Sequence, residues 1–247
     1  METNIIFNED CVNTLDRMED NVIDLTITSP PYNVDMAYNT YKDNKEYSNY
    51  LQWLKGIFTK LHTKTKSGGR CVINIGDQQN GRIPVHSDII QMMKGIGWLP
   101  FANIIWDKNT ISRRTSWGSW LSPSAPCFPI TFEYIMVFAK DSLKLQHKGE
   151  TDLTKEEFIK WSLAKWTIIG ESSKKVNHPA AFPLEIPTRC IKMLSYKSAI
   201  VYDPFSGSGT TCLAAKILGR QFIGSEIDKV YYENSQNRIG NMLDYKE

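Results

Sequence analysis

Residues 199–226 constrain the fold more than any other stretch. An apolar run at 199–202 ends at Asp203, and Pro204, Phe205 and Ser206 lead into Gly207-Ser208-Gly209. A helical segment then opens at Thr210, and a second apolar run ends at Glu226. The spacing predicts a strand, a tight turn, a helix and another strand. Glycine lets the turn adopt positive φ and approach a ligand closely, while the helix start offers N–H groups with no intrahelical partner. A plain connection with nothing bound would use the same residues.

Spacing separates the ligand classes. A phosphate-binding loop needs Gly-Lys-Ser/Thr, but Gly209 precedes Thr210-Thr211. A dinucleotide fingerprint wants a third glycine where Cys212 stands, and a nucleophile elbow needs Gly-x-Ser-x-Gly, which adjacent Gly207-Ser208-Gly209 does not supply. Glu226 closes the second strand, where a carboxylate can accept hydrogen bonds from both hydroxyls of a ribose. A glycine turn for an adenosine without pyrophosphate points to S-adenosyl-L-methionine as cofactor.

The rest of the chain repeats the strand–helix rhythm. Strands are expected at 4–7, 23–28, 70–75, 101–107, 132–139, 199–203 and 221–226, and helices at 46–61, 183–194 and 210–218. In the first helix Tyr47, Tyr50, Leu51, Leu54, Ile57, Phe58 and Leu61 form one apolar stripe. Pro183 and Pro187 fit the first turn of the second, where a missing N–H costs nothing. The expected architecture is α/β, a mixed and mostly parallel sheet flanked by helices in a Rossmann-like arrangement. One catalytic domain is expected over 1–247. Three stretches break the rhythm: 33–46, 108–130 and 141–178.

Bulk properties exclude more than they assign. Five scattered cysteines, odd in number and without a CxxC pair, fit reduced thiols rather than a disulfide framework or zinc site, so no structural metal is expected. No long apolar run suggests a membrane span, and "METNIIFNED" does not read as a secretion signal, so a cytoplasmic location is expected. The net charge of +2 is too mild to identify a nucleic-acid binder.

"SPPY" at 29–32 and "FSGSG" at 205–209, in that order, resemble the beta-class amino-directed DNA methyltransferases. The resemblance extends to "NEDC" (8–11), "GGRCVINIGD" (68–77), "FEYIMVFAK" (132–140) and "HPAAFPLEIP" (178–187), nearly the whole chain. It implies that Asp10 and Cys11 lie at the adenine of the cofactor, and Phe182 near its methionine end, with His178 marking that motif. Asp203, Phe205, Ser206, Gly207, Gly209, Thr210 and Glu226 would complete the cofactor site. As an isolated residue, Asp10 before a helix reads as an N-cap.

The chemistry of such a motif follows from the amine. An exocyclic amino nitrogen is a poor nucleophile because its lone pair is delocalised into the ring. Two acceptors holding its hydrogens let it move toward sp3. Prolines rigidify the backbone, so the Pro30 carbonyl, fixed by Pro30-Pro31, is one expected acceptor. The Ser29 hydroxyl is the second polar contact, and Tyr32 can stack on a base that has left the duplex.

Double-stranded DNA is the implied partner. Arg113, Arg114, Trp117 and Trp120 in "SRRTSWGSW" suit phosphates, guanine edges and unstacked bases, with Asn33 added beside the motif. A packed surface loop is the bland alternative. Target-recognition insertions are expected at about 108–130 and 141–178. The latter has seven lysines against six acids, so it is no basic arm. Serine at 29 leans, as a family tendency, toward the N4 of cytosine; the N6 of adenine is the alternative. Ring-carbon methylation at Pro126-Cys127 has the wrong motif order, as does protein glutamine methylation. A catalytically inactive DNA-binding module is the non-enzyme reading. A homodimer is one option the family offers, and any cognate restriction endonuclease would be a separate protein.

Overall fold

The computed structural model describes residues 1–36, 40, 43–109, 118–170 and 182–241. In chain order its elements are β1 (Ile5–Phe7), α1 (Cys11–Arg17), β2 (Ile23–Thr28), α2 (Tyr47–Lys64), β3 (Thr65–Ile75), α3 (Val85–Ile96), β4 (Trp98–Asp107) and β5 (Phe132–Lys140). There follow α4 (Lys155–Trp161), β6 (Lys165–Thr167), α5 (Glu185–Leu194), β7 (Ile200–Asp203), α6 (Thr210–Ile217), β8 (Gln221–Ser225) and α7 (Lys229–Gly240).

The strands form one sheet in the order β1-β8-β7-β2-β3-β5-β4-β6. Five pairings are parallel, and β5 runs antiparallel to both β3 and β4. The mixed, mostly parallel sheet expected from the sequence is therefore present. Successive residues Ile135 to Ala139 of β5 are all buried, which a strand allows only when both faces are covered. Ile135 and Val137 pack with Ile186 and Ile191 of α5 and Leu213 of α6. Met136 and Phe138 pack on the other face with Leu15 of α1, Leu54 and Phe58 of α2, and Met93 of α3.

The stripe on α2 is buried at Tyr50, Leu54, Ile57, Phe58 and Leu61, and the Glu46 side chain caps its start by accepting from the N–H groups of Ser48 and Asn49. α5 begins at Glu185, two residues later than the sequence predicts. Pro187 occupies its first turn, and the Pro183 carbonyl accepts from the Ile186 N–H from outside the helix. β3 starts at Thr65 rather than 70. Gly69 permits this, because a Cβ there would lie 2.7 Å from Thr65 Cγ2. β4 starts at Trp98 and carries Pro100 at a register shift, the kind of irregularity that accommodates a proline in a strand.

The charged stretch 141–170 contains α4 and β6. A capping box between Thr154 and Glu157 starts α4, Lys192 of α5 holds Glu157 at 2.5 Å, and Arg220 grips Asp152 with two hydrogen bonds of 2.6 and 2.8 Å. No helix among the described residues is long and apolar enough to cross a membrane.

Parallel β1, β8, β7 and β2 bring their carboxyl ends to one edge of the sheet, and a crevice opens there. Close packing sets the turn behind it. A Cβ on Gly224 of β8 would lie 2.9 Å from Ile6 Cγ1 and 3.0 Å from Cys212 Sγ, and would strike Ser206 Oγ. Gly224→Ala is expected to lower stability by about 1–3 kcal/mol through overpacking, read as an earlier urea midpoint with an unchanged slope.

Candidate active site

Neighbouring strands β2 and β7 end in groups that bond to each other. Thr28 Oγ1 donates to Asp203 Oδ1 at 2.7 Å, and the Phe205 N–H donates to the same oxygen at 3.0 Å. One buried carboxylate thus joins the strand that leads into Ser29 to the turn that leads into Gly207. Burial pushes the Asp203 carboxyl up to about 6, against the pull of these hydrogen bonds.

The turn takes the left-handed conformations that its glycines permit, φ 51° at Gly207 and 76° at Gly209. A Cβ on Gly209 would meet Ser235 Cβ at 2.9 Å, so the turn sits directly on α7. Arg238 of α7 braces it by donating to the Ser208 carbonyl (2.7 Å), Ser208 Oγ (2.8 Å) and Thr210 Oγ1 (3.2 Å). Ser206 Oγ donates to the Asp203 carbonyl at 3.1 Å.

Glu226 faces this turn from the end of β8. Its Oε2 accepts from the Gly207 N–H at 2.7 Å and its Oε1 from the Asp228 N–H at 2.8 Å. Each oxygen keeps a further lone pair. Burial raises the Glu226 carboxyl to about 7; the charges of Asp228 and Asp203 add to this, and the two N–H bonds oppose it. A cavity of about 300 Å³ brings Glu226, Gly207 and Phe205 together with Asp10, Cys11 and Ser29. Trp53 stands against Phe205 with ring centroids 5.6 Å apart, giving the cavity an aromatic wall. Acceptor carboxylates, a close-approach glycine and aromatic surface fit an adenosine-bearing cofactor. Asp10 both lines the cavity and caps α1, accepting from the Val12 N–H at 2.8 Å.

Beyond β2 the carbonyls of the proline motif differ in what they meet. Tyr50 Oη donates to the Pro31 carbonyl (2.9 Å) and Gln78 Nε2 to the Tyr32 carbonyl (2.6 Å). The Pro30 carbonyl accepts no hydrogen bond from any described residue. Ser29 Oγ lies within hydrogen-bond reach of Tyr32 Oη (3.1 Å) and the Asn74 carbonyl (3.2 Å), with one proton to give. Tyr32 Oη in turn donates to Glu133 Oε2 at 2.8 Å.

Asn33 spends its side-chain amide on the backbone of Lys45, donating at 2.8 Å and accepting at 2.7 Å. Asp43 gathers the N–H groups of Asn33, Val34 and Met36 at 2.8–3.2 Å, which folds the segment after the motif back on itself. Thr40 donates to Asp228 at the cavity rim.

The expected cofactor residues Asp203, Ser206, Gly209 and Thr210 are buried beside the cavity without lining it; of the motif, Ser29 and Pro31 line this cavity, and Pro30 and Tyr32 do not. Phe182 packs in the core against the α5–α6 face and is not among the lining residues. Trp120 is 66% exposed, and its neighbour Leu121 is 89% exposed with φ 54°. Arg113, Arg114, Trp117 and His178 lie outside the described residues. Sequence reasoning gave no role to Asn74, Gln78, Glu133, Asp43 and Arg238; Asn74 and Glu133 lie within segments of the resemblance, but their partners Tyr32 and Ser29 lie more than 40 residues away in sequence.

A family model described as DNA methylase matches residues 23–237. The type II methyltransferase M.MjaVI of Methanocaldococcus jannaschii is 42% identical over 174 residues, 70% of this chain and 89% of that protein. Among solved structures, a protein assigned as a DNA modification methylase from Thermus thermophilus, complexed with S-adenosyl-L-methionine, aligns with TM-score 0.78 at 27% identity, covering 96% of this chain and 93% of that one. The PvuII cytosine-N4-specific DNA methyltransferase shares the fold, with TM-score 0.72 at 20% identity over 99% of this chain and 91% of that one.

Ribose hydroxyls donate to a carboxylate, so cofactor affinity is expected to follow ionisation of Glu226. Binding should be pH-independent well above 7 and weaken below it, by up to about tenfold per pH unit when one proton is linked. Calorimetric titration with S-adenosyl-L-methionine from about pH 5.5 to 8.5 spans that range. Glu226→Gln should bind more weakly and lose the dependence.

Proposed function

This chain belongs to the N6/N4 DNA methylase family and is an S-adenosyl-L-methionine-dependent DNA methyltransferase, and from that premise we propose that it methylates the N4 amino group of cytosine at a specific site in double-stranded DNA. The observation that carries this reading is the pair of acceptors at the motif. The Pro30 carbonyl is unclaimed by any described residue, and Ser29 Oγ beside it can give its proton to the Asn74 carbonyl or Tyr32 Oη, leaving lone pairs free. Two acceptors facing one amino group would hold both hydrogens and restore nucleophilic character to the nitrogen. Tyr50 fixes the next carbonyl and the prolines fix the backbone, so the acceptors are set before substrate arrives.

The cofactor supplies a methyl group on a positively charged sulfur. Glu226 and the Gly207 turn hold and orient the nucleoside part, with Asp10 and Cys11 at the same cavity and Phe205 with Trp53 as its aromatic wall. The Asp203–Thr28 bond fixes the spacing between this pocket and Ser29. Serine at position 29 supports cytosine over adenine, following the tendency of the family.

DNA is proposed to meet the same edge of the sheet. The turn at 118–126 is closed by Ser119, whose N–H donates to the Ala125 carbonyl at 2.9 Å and whose Oγ accepts from the Ala125 N–H at 2.7 Å. It presents Trp120 and Leu121 to solvent, with leucine held in a left-handed conformation that its side chain disfavours. Asn80, two residues beyond the Gln78 that holds Tyr32, reaches Cys127 Sγ at 3.3 Å and ties this turn to the motif. We assign target recognition, within a single catalytic domain, to 108–130 and, within 141–178, to the part from β6 onward, which pairs with the end of β4 at the crevice edge. Residues 143–152 are held instead at the amino ends of β3, β7 and β8 by Arg70, Lys197 and Arg220, so the expectation for that part is corrected. A homodimer, a separate cognate endonuclease and a cytoplasmic setting complete the proposal, the endonuclease on the footing of the type II relative.

Nucleoside mass spectrometry of duplex DNA incubated with the enzyme and S-adenosyl-L-methionine tests it. N4-methylcytosine is the expected product; N6-methyladenine would keep the mechanism and overturn the choice of base. Ser29→Ala should slow single-turnover methylation about tenfold, the worth of one hydrogen bond, with cofactor affinity unchanged.

A further inference from the structure

We infer that Glu133, at the start of β5, is a positioning residue that sets the direction of the hydrogen bonds behind Ser29 and so makes that hydroxyl an acceptor. This rests on the proposed contact between Ser29 and the target amino group. A serine hydroxyl can donate or accept, and only its lone pairs are useful to an amino group that is itself a donor. Something must therefore commit the Ser29 proton elsewhere.

The Asn74 carbonyl can take that proton, but the Tyr32 contact leaves both Ser29 lone pairs open only if the phenol does not donate to Ser29. Ser29 Oγ lies 3.1 Å from Tyr32 Oη, and either oxygen could donate to the other. The far end breaks the tie. Tyr32 Oη is 2.8 Å from Glu133 Oε2, and a carboxylate only accepts, so the phenol proton goes to Glu133. Tyr32 is then left with lone pairs toward Ser29 and toward Asn74 Nδ2, which donates to it at 2.9 Å. Asn74 Nδ2 also donates to Glu133 Oε2 at 2.7 Å, and Lys108 Nζ reaches Oε1 at 2.5 Å.

Every group that meets Glu133 in this cluster is a donor. The reverse order would leave a carboxylate oxygen facing a phenol lone pair. The Glu133 side chain is only 12% exposed and Asn74 is 3% exposed, where water cannot readily offset a misdirected bond. The Asn74 amide orientation has the same cause, since its oxygen turned inward would face the carboxylate.

Mutants at Glu133 should therefore respond to the loss of the phenol. In Glu133→Gln the side-chain NH2 can donate to Tyr32 Oη, which frees the phenol proton to turn onto Ser29 Oγ and occupy a lone pair. Removing the phenol should then repair the damage, because Ser29 keeps the Asn74 carbonyl as its own acceptor. Single-turnover methylation of duplex DNA by E133Q is expected to be about tenfold slower than wild type, the cost of one hydrogen bond, with DNA KM and cofactor affinity within about twofold. Tyr32→Phe alone should lose less, and E133Q/Y32F should return to the Y32F rate, faster than E133Q.

A merely structural Glu133 would give a double mutant as slow as E133Q or slower, and that result overturns the inference, as does E133Q at the wild-type rate. Glu133→Leu neither donates nor accepts, and it too should be rescued by Tyr32→Phe, so the test stands if E133Q fails to fold. Ser29→Ala in the same series separates the two claims. Full activity there defeats the proposed Ser29 contact itself, whereas a slow S29A with no rescue of E133Q defeats only the role of Glu133.

Discussion

The hydrogen bond between Thr28 and Asp203 is where this structure becomes a machine with two parts in register. The residues are 175 apart in sequence, yet they end adjacent parallel strands and share a buried contact of 2.7 Å. One loop leaves β2 and carries the prolines, and the other leaves β7 and carries the glycines. Because Asp203 Oδ1 also accepts the Phe205 N–H, the carboxylate fixes both departures together. Transfer between a bound donor and a held amine depends on their separation within fractions of an ångström. A short side-chain bond at the strand ends meets that demand better than either loop alone could.

The site places carboxylates where burial opposes their charge. Asp203 is raised to about 6 and Glu226 to about 7, both chiefly by desolvation. Each has a higher pKa folded than unfolded, so each costs stability as pH climbs from the ordinary carboxylate range through these values. Their backbone N–H partners offset part of that cost. Strain and unfavourable charge of this kind gather at functional sites, while the double-faced core on either side of β5 supplies the compensating burial.

Local patterns made much of this legible. The 199–226 unit, the α2 stripe and the buried run of β5 carry their own periodicity, and the structure follows them. Gly207 and Glu226, which spacing alone paired, meet at 2.7 Å. What escaped the sequence depends on distant partners. The charged 141–170 stretch reads as loop because the groups that pin it, Lys192 and Arg220, lie far along the chain. Glu133 reads as one polar residue in an apolar strand, and Asn74 likewise; only the pairing of β3 with β5 sets them side by side. Asn33 looked available for DNA, but its amide closes the loop onto Lys45.

The proposed methyl transfer turns on two acceptors meeting one amino group. A crystal structure with duplex DNA and S-adenosyl-L-homocysteine would measure this directly. The expected result is an extruded cytosine with N4 within about 2.7–3.2 Å of both the Pro30 carbonyl and Ser29 Oγ. An extruded base whose amino group contacts neither oxygen would contradict it.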